Sequence, residues 1–355
     1  MSKKKLSILF VFMLVFLFGP VAHSYAFEFK GFADVSYNKS TEDGADQGAF
    51  ALGAVDFYLA QQLDDRTDVL VEFVIESDET GEFVVDLERL QLGYIFSDAF
   101  KLRAGRFHTI LGYWNTAFHH GAELQTSATR PAFLEFEDDG GILPVHMVGL
   151  WGTGSFKSSP AVVNYGVMAG NGSKLQDGAL NPNNISDDSD DKAIAFRVTV
   201  EPTQIDGLGI GLSGSFATVS GYTGSSETLR IKQNIYELDV TYFANNVEVL
   251  AEYYIFKNED DLGTSGSFSS SAYYVQAGYA IMDKYIPYAR YENVSIDDDG
   301  DPFFTATGTV DSTQTALGLR YNLSLLSSLK AEMRFVDRDG ADNHNEYTLQ
   351  WACTF

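Results

Sequence analysis

Apolar and polar residues alternate along most of this chain with a period of two. The clearest case is the segment 346–355, where every second side chain is apolar, namely Tyr347, Leu349, Trp351, Cys353 and Phe355. The same spacing recurs in 69–76, 247–253, 315–321 and 329–335, with the charged residues on one face only. A period of two predicts β-strands that each have one apolar face.

Runs of this kind predict an all-β chain. Sixteen strands are expected at 28–37, 49–62, 67–77, 83–96, 100–108, 143–154, 161–171, 192–201, 207–219, 229–243, 247–257, 271–282, 284–296, 311–322, 328–337 and 345–355. Sixteen is an even number, as in the single-chain barrels of bacterial outer membranes.

The connections between these strands alternate between long and short. The long ones are acidic or glycine-rich and lie at 38–48, 78–82, 109–142, 172–191, 220–228, 258–270, 297–310 and 338–344. We therefore predict a 16-stranded antiparallel transmembrane β-barrel with short periplasmic turns and long extracellular loops. A soluble sandwich or propeller also has a period of two. Neither has a reason to alternate its loop lengths.

Composition excludes several classes of function. The chain has 24 Lys and Arg residues against 49 Asp and Glu, a net charge of -25, which is opposite to what nucleic-acid binding requires. A hydrophobic content of 45% is too high for intrinsic disorder. Cys353 is the single cysteine, so neither an internal disulfide nor a cysteine-based metal cluster can form, and we predict no cofactor.

The N-terminal segment is typical of an export signal. Three lysines at 3–5 precede the apolar run 6–18, and Ser24-Tyr25-Ala26 puts small residues at the two positions that a signal peptidase reads. We predict a cleavable signal peptide at 1–26 and a barrel at 27–355. The apolar run is too short for a transmembrane helix.

Taken together, these features resemble the porin superfamily of Gram-negative outer membranes, including its phosphate-selective branch. The resemblance implies a multi-pass barrel in the cell outer membrane, in contact with lipids and lipopolysaccharide, and a homotrimer. It also implies that the terminal aromatic residues, Tyr347, Trp351 and Phe355, form the signal read by the barrel-assembly machinery.

The resemblance further implies that the third loop, 109–142, folds into the barrel and narrows the pore. The segment Leu134–Gly141 shares Glu-Phe and two glycines with a Pro-Glu-Phe-Gly-Gly stretch of that family, but it lacks the proline and inserts three acids. A connection of this length without evident secondary structure is usually functional. We expect Trp114, Phe118 and Phe133 to anchor it to the barrel wall.

Charged residues predict the chemistry of the constriction. The loop supplies Glu123, Glu135, Glu137, Asp138, Asp139, His119 and His120, and the predicted inward strand faces supply Arg89, Arg103, Arg290, Arg320, Lys330 and Arg334. An acidic loop opposite a basic wall would set up a transverse field across the water-filled pore. Alternatively, these charges pair with one another and with Glu292 and Glu332.

Metal binding and catalysis receive little support from the sequence. His119, His120 and Glu123 could be proposed as metal ligands, but neighbouring histidines on an extended segment point apart, so we predict no metal there. The run Asp297–Asp301 lacks the distal glutamate of an EF-hand loop, which leaves only a surface calcium site open. Gly211–Gly214 lacks the spacing of a nucleophile elbow, and we predict no enzymatic activity.

The predicted function is therefore that of a porin, a water-filled channel for passive diffusion of ions and small hydrophilic solutes. The acid excess favours cations. The alternative is a substrate-selective channel or a surface receptor that uses the acidic extracellular loops.

Overall fold

The computed structural model describes residues 28–355 except 46–47, 78–80, 119–120, 138, 182–184, 186–190, 264–265 and 297–299. The predicted signal peptide, His119, His120, Asp138 and most of the acidic run at 297–301 lie outside the described residues.

Eighteen strands, two short α-helices and a 3₁₀ helix account for the regular structure of the described part of the chain. The strands are β1 (Glu28–Ser40), β2 (Ala49–Gln62), β3 (Thr67–Ser77), β4 (Phe83–Ser97), β5 (Phe100–His108), β6 (His146–Lys157), β7 (Ala161–Asn171), β8 (Lys174–Gln176), β9 (Ala179–Leu180), β10 (Lys192–Pro202), β11 (Leu208–Thr223), β12 (Ser226–Ala244), β13 (Val247–Asp260), β14 (Ser267–Tyr279), β15 (Tyr285–Ser295), β16 (Ser312–Ser324), β17 (Ser327–Arg338) and β18 (His344–Thr354). The helices are α1 (Tyr113–Ala117), the 3₁₀ helix Ala132–Leu134 and α2 (Pro302–Thr307). No helix among the described residues is long and apolar enough to cross a membrane.

Sixteen of these strands form one closed antiparallel barrel, as the sequence predicts. The first and last strands close it, in a register that runs from Phe32 opposite Thr354 to Ser40 opposite Glu346. Strand β7 pairs with β10, so that β8 and β9 are not part of the sixteen-stranded ring. They form a small hairpin, and β8 pairs in parallel with the end of β11. Closure leaves the barrel with no open sheet edge, which is what a hydrocarbon environment demands.

Some predicted boundaries were wrong. The connection predicted at 220–228 is a tight turn, because β11 and β12 extend until Thr223 pairs with Ser226. The strand predicted at 271–282 ends at Tyr279, since Met282 and Asp283 adopt left-handed turn conformations. The strand predicted at 143–154 begins at His146, and the connection before it, 109–145, is called the third loop below.

The outward face of the barrel is apolar. Leucines such as Leu317, Leu319 and Leu349 stand on it half-exposed. Exposed aromatic residues gather near the end that carries the short turns, and they include Phe29, Tyr94, Phe96, Phe100, Phe156, Phe243, Tyr279 and Tyr285. Such a belt is typical of the membrane interface of outer-membrane barrels.

An apolar core occupies one side of the lumen, along β11–β15. It joins third-loop side chains to inward residues of the wall and to residues of α2 and the β8–β9 hairpin. Its members include Leu111, Trp114, Phe118, Phe133, Ile142, Leu143, Ile231, Ile235, Leu250, Tyr254, Phe256, Tyr274, Leu175, Leu180, Phe303 and Phe304. The open space of the barrel is therefore displaced toward the opposite wall.

Candidate functional site

The start of α1 is held on the barrel wall by a single buried carboxylate. Glu252 on β13 accepts hydrogen bonds from the backbone N–H groups of Tyr113 (3.0 Å) and Trp114 (2.8 Å). The hydroxyls of Tyr254 and Tyr274 donate to the same carboxylate, both at 2.6 Å. The first N–H groups of a helix have no partner within it, and a carboxylate there also suits the helix dipole.

Gly112 permits this close approach. Its φ of 73° lies in the left-handed region, and a Cβ at this position would stand 1.9 Å from the Tyr254 hydroxyl oxygen and 2.2 Å from Oε2 of Glu252. Its backbone N–H donates to Oγ of Ser213 at 3.1 Å. A larger residue would push α1 away from the wall.

A second anchor holds the middle of the third loop. The guanidinium of Arg290 donates to the carbonyl oxygens of Thr129 and Arg130, both at 2.8 Å, and to Oε1 of Glu292 at 3.1 Å. The other oxygen of Glu292 accepts from the backbone N–H of Ala132 at 2.6 Å. The buried ion pair of Arg290 and Glu292 thus binds loop backbone on both sides.

A third anchor lies on β16 and β17. Arg320 donates to Oε1 of Glu123 at 2.5 Å and to the Glu123 carbonyl at 2.6 Å. Ser328 donates to the second oxygen of the Glu123 carboxylate. Lys330 donates to the carbonyl of Ser127 at 3.0 Å. Glu123 therefore binds directly to the wall.

The wall residues Arg290, Arg320 and Lys330 consequently lie beneath the third loop instead of facing open water. Arg290 is 1% exposed and Lys330 3% exposed. No water-filled gap separates Glu123 from this basic wall, so the predicted transverse field does not form here. The alternative prediction, in which lumen charges pair with one another, describes this part of the barrel.

The three other predicted basic residues border open space, and each contacts a carboxylate. The pairs are Arg89 with Glu72 (3.0 Å), Arg103 with Asp68 (3.6 Å) and Arg334 with Glu346. Pairing of this kind leaves little uncompensated positive charge on the pore wall.

The end of the third loop is held by Glu137, which is 1% exposed. One of its oxygens accepts from the backbone N–H groups of Val145 (2.7 Å) and His146 (3.1 Å), and the other lies 2.7 Å from Nδ1 of His146. The opposite ring nitrogen, Nε2, lies 2.7 Å from Oε2 of Glu88 on β4. Glu137 was predicted to face the pore, but it stabilises the loop from within.

An upper cavity of about 710 Å³ lies between the third loop and strands β18 and β1–β5. Its carboxylates outnumber its cationic groups. The acids are Asp34, Glu76, Asp86, Glu88, Glu135 and Asp139, and the bases are Arg106 and Arg130, with His146 at its floor. A cation entering from the long-loop end would meet a negative potential.

A lower cavity of about 420 Å³ opens toward the short turns. Arg89, Lys101 and Arg197 border it together with Asp98. Arg197 pairs with Glu237 at 3.3 Å and with Asp239 at 2.7 Å. Because its two arginines are paired with acids behind them, this cavity carries little net positive charge.

Glu135 is a third-loop acid whose charge changes near neutral pH. Burial raises the pKa of Glu135 to about 6, and the positive charges of Arg130 and Arg334 act in the opposite direction. Burial also raises the pKa of Asp139, again opposed by Arg130. Arg130 itself lies over the ring of Phe136, 4.1 Å from its centroid.

Tyr347, Trp351 and Phe355 all stand exposed on the outward face. Phe355 exchanges backbone hydrogen bonds with Gly31 on β1, at 2.8 and 2.9 Å, and its ring contacts Phe57. Their role as an assembly signal stays a prediction.

The predicted aromatic anchors of the third loop are confirmed, because Trp114, Phe118 and Phe133 lie in the apolar core. Sequence reasoning missed Glu252 and the apolar side of the lumen. A signal was present in the runs Tyr253–Phe256 and Ala272–Val275, which are apolar at consecutive positions and so have apolar side chains on both faces.

Comparison with solved structures gives the fold. The anion-selective porin of Comamonas acidovorans matches with a TM-score of 0.66 at 13% identity, over 94% of this chain and 100% of that one. OmpF of Salmonella typhi matches with a TM-score of 0.64 at 14% identity, over 93% and 98%. The trimer form of OmpT, an outer membrane protein of Vibrio cholerae, matches with a TM-score of 0.63 at 13% identity, over 94% and 100%.

The chain has the fold of an outer-membrane porin. This porin-fold barrel is of the multi-pass type found in Gram-negative outer membranes. No family model matches the sequence, and no curated protein matches it.

Proposed function

We propose that the protein forms a water-filled channel for passive diffusion of ions and small hydrophilic solutes, with a preference for cations. The observation that carries this proposal is the acidic lining of the upper cavity. The six wall bases predicted from the sequence lie under the third loop or contact carboxylates. Arg106 borders the cavity and donates to the carbonyl of Glu88, but the acids of the lining outnumber it. The loop contacts the wall from β11 to β17, so solutes would pass along the β1–β6 side.

Two further features belong to this proposal. The buried acids and bases of the lumen hold the third loop in place, and we assign them no reaction, so the function proposed is that of a channel and not of an enzyme. We also infer a homotrimer, as the similar OmpT structure is described as a trimer form. Gel mobility of unheated and heated protein would test the oligomer.

Reversal potentials in planar bilayers under a salt gradient test the cation preference. We expect the wild type to favour potassium over chloride, and Asp86→Lys to lower that permeability ratio at least twofold. The interaction energy of one unit charge with a passing ion roughly 10 Å away in water is about 0.4 kcal/mol. Asp86→Lys changes the charge at this position by two units. Asp43→Lys makes the same change on an exposed outer loop and should shift the ratio much less, because salt screens it. A wild type that favours chloride would contradict the proposal.

Cation preference should also weaken as the pH falls from 8 to 5. Since its pKa is raised to about 6, Glu135 is charged at the upper pH and neutral at the lower one. Its negative charge is therefore lost from the cavity on acidification. Glu135→Gln is neutral throughout and should show a smaller change in reversal potential between the two pH values. An unaltered pH profile in this variant would show that Glu135 does not set selectivity.

A further inference from the structure

Two histidines and a glutamate converge where the upper and lower cavities meet. Within the described residues, one ligand atom each from Glu88, His108 and His146 lies within 4.8 Å of the other two. His108 and His146 are direct cross-strand partners on β5 and β6, with ring centroids 5.5 Å apart. Glu88 and His146 border the upper cavity, and His108 borders the lower one.

A β-bulge brings Glu88 to this position. Arg89 pairs with Glu72 and Leu87 pairs with Phe73, so Glu88 is the extra residue between two consecutive pairs. Leu87 faces outward and is exposed, whereas Glu88 is buried. Bulges commonly re-aim a side chain beside a functional site.

His146 is oriented as a metal-binding histidine would be. Its Nδ1 lies 2.7 Å from a Glu137 oxygen, and that carboxylate is itself fixed by two backbone N–H groups. Histidine ligands usually donate their second N–H to a carboxylate, which sets the tautomer and the ring orientation. The nitrogen left to coordinate is Nε2, which faces Glu88.

A further buried carboxyl group lies beside this cluster. Asp56 on β2 is 1% exposed, and its carboxyl group shares a hydrogen bond with that of Glu72. Its charged neighbours are the carboxylates of Glu72 and Glu88 and the guanidinium of Arg89. Carboxylates this close repel one another unless they share a proton, and a dication at the neighbouring cluster would reduce that repulsion.

We propose that Glu88, His108 and His146 bind a divalent first-row transition-metal ion, with zinc as the best fit. Imidazole nitrogens and a carboxylate oxygen are the donors that zinc takes in three-ligand sites with an open fourth position. Zinc bonds to nitrogen and oxygen are about 2.0–2.2 Å long, so a tetrahedral zinc puts its ligand atoms roughly 3.4 Å apart. The three ligand atoms here lie within 4.8 Å of one another, so they must move together by about 1 Å to bind the ion. The bound ion adds two positive charges at the junction of the cavities and lowers cation conductance.

Calorimetric titration of the untagged, chelator-treated protein in detergent with zinc chloride tests the site. We expect one zinc per chain, and at least tenfold weaker binding in Glu88→Gln, His108→Gln and His146→Gln. Glu137→Gln keeps an oxygen for the backbone N–H groups of Val145 and His146 but removes the carboxylate beside Nδ1 of His146, and it should lose about 10- to 100-fold in affinity. His344→Gln is the matched control, since His344 is another buried histidine, 3.4 Å from Glu346. It should bind zinc as the wild type does.

Two results would overturn the proposal. One is no saturable zinc binding by protein whose heat-modifiable gel mobility shows a folded barrel. The other is equal affinity in the wild type and all ligand variants, which would place the ion on the acidic loops. Cobalt substitution gives a second readout, because the site should show the intense visible absorption of tetrahedral Co²⁺. Binding is measured here without current, so its failure is distinct from failure of the channel proposal.

Discussion

Glu252→Ala should release α1 from the barrel wall and lower the free energy of unfolding by about 3–5 kcal/mol. The substitution removes the acceptor of two backbone N–H groups and two tyrosine hydroxyls, all in buried surroundings. Urea unfolding in phospholipid vesicles, followed by tryptophan fluorescence, measures the loss. Single-channel currents of the variant should be noisier, because the loop beside the open cavity is no longer fixed.

Glu248→Ala is the matched control on the same strand. Glu248 accepts from the hydroxyl of Thr126 at 2.7 Å and from the side-chain amide of Gln276 at 3.0 Å, and it is only half-buried. Water can replace it as an acceptor, so we expect a loss of about 1 kcal/mol. Equal losses in the two variants would show that Glu252 is not the main anchor of α1.

Arg290→Met should cost a similar amount, about 3–5 kcal/mol, for a different reason. Methionine fills much of the same volume but leaves the buried Glu292 carboxylate without its cation. The carbonyls of Thr129 and Arg130 also lose their donor. The same unfolding measurement applies, and increased protease cleavage within the third loop would show where the structure loosens.

Arg334→Met is the matched control for Arg290→Met, because it removes an arginine from an ion pair that solvent can reach. Its partner Glu346 and its own guanidinium both retain contact with solvent. We expect a loss of about 1 kcal/mol or less, as for other solvent-accessible pairs. If Arg290→Met lowered the free energy of unfolding no more than Arg334→Met does, the apolar contacts of the third loop would have to hold its middle instead.

Strand positions follow from the sequence because each depends on local alternation. The segment Tyr347–Phe355 has one face for lipid and one for the lumen whatever its neighbours are. Boundaries failed where a neighbouring strand or loop decided them. Thr223 and Ser226 pair only because both strands continue beyond the rest of the barrel, and residues 143–145 leave the strand because Glu137 binds the backbone there.

The candidate site shows the same division. Its acids and bases could be listed from the sequence, and the aromatic anchors of the third loop were recognised from their residue type. The sequence could not predict which acids and bases form pairs. Arg320 and Glu123 are far apart in the chain, and they bind only because the third loop lies inside the barrel. Glu88 adds a further obstacle, because the bulge lets Glu88 and Arg89 both face the lumen, where simple alternation allows only one of them to do so.

The sequence by itself determined an all-β chain of sixteen alternating strands, the loop-length asymmetry and the acidic charge, since a period of two and residue counts are local properties. Only the tertiary structure decided which side of the lumen is filled, which bases the third loop covers and where the open cavity lies. Those outcomes depend on contacts between distant strands, where burial makes each polar group bind a specific partner. The convergence of Glu88, His108 and His146 belongs to this second class, because barrel register and the bulge bring them together.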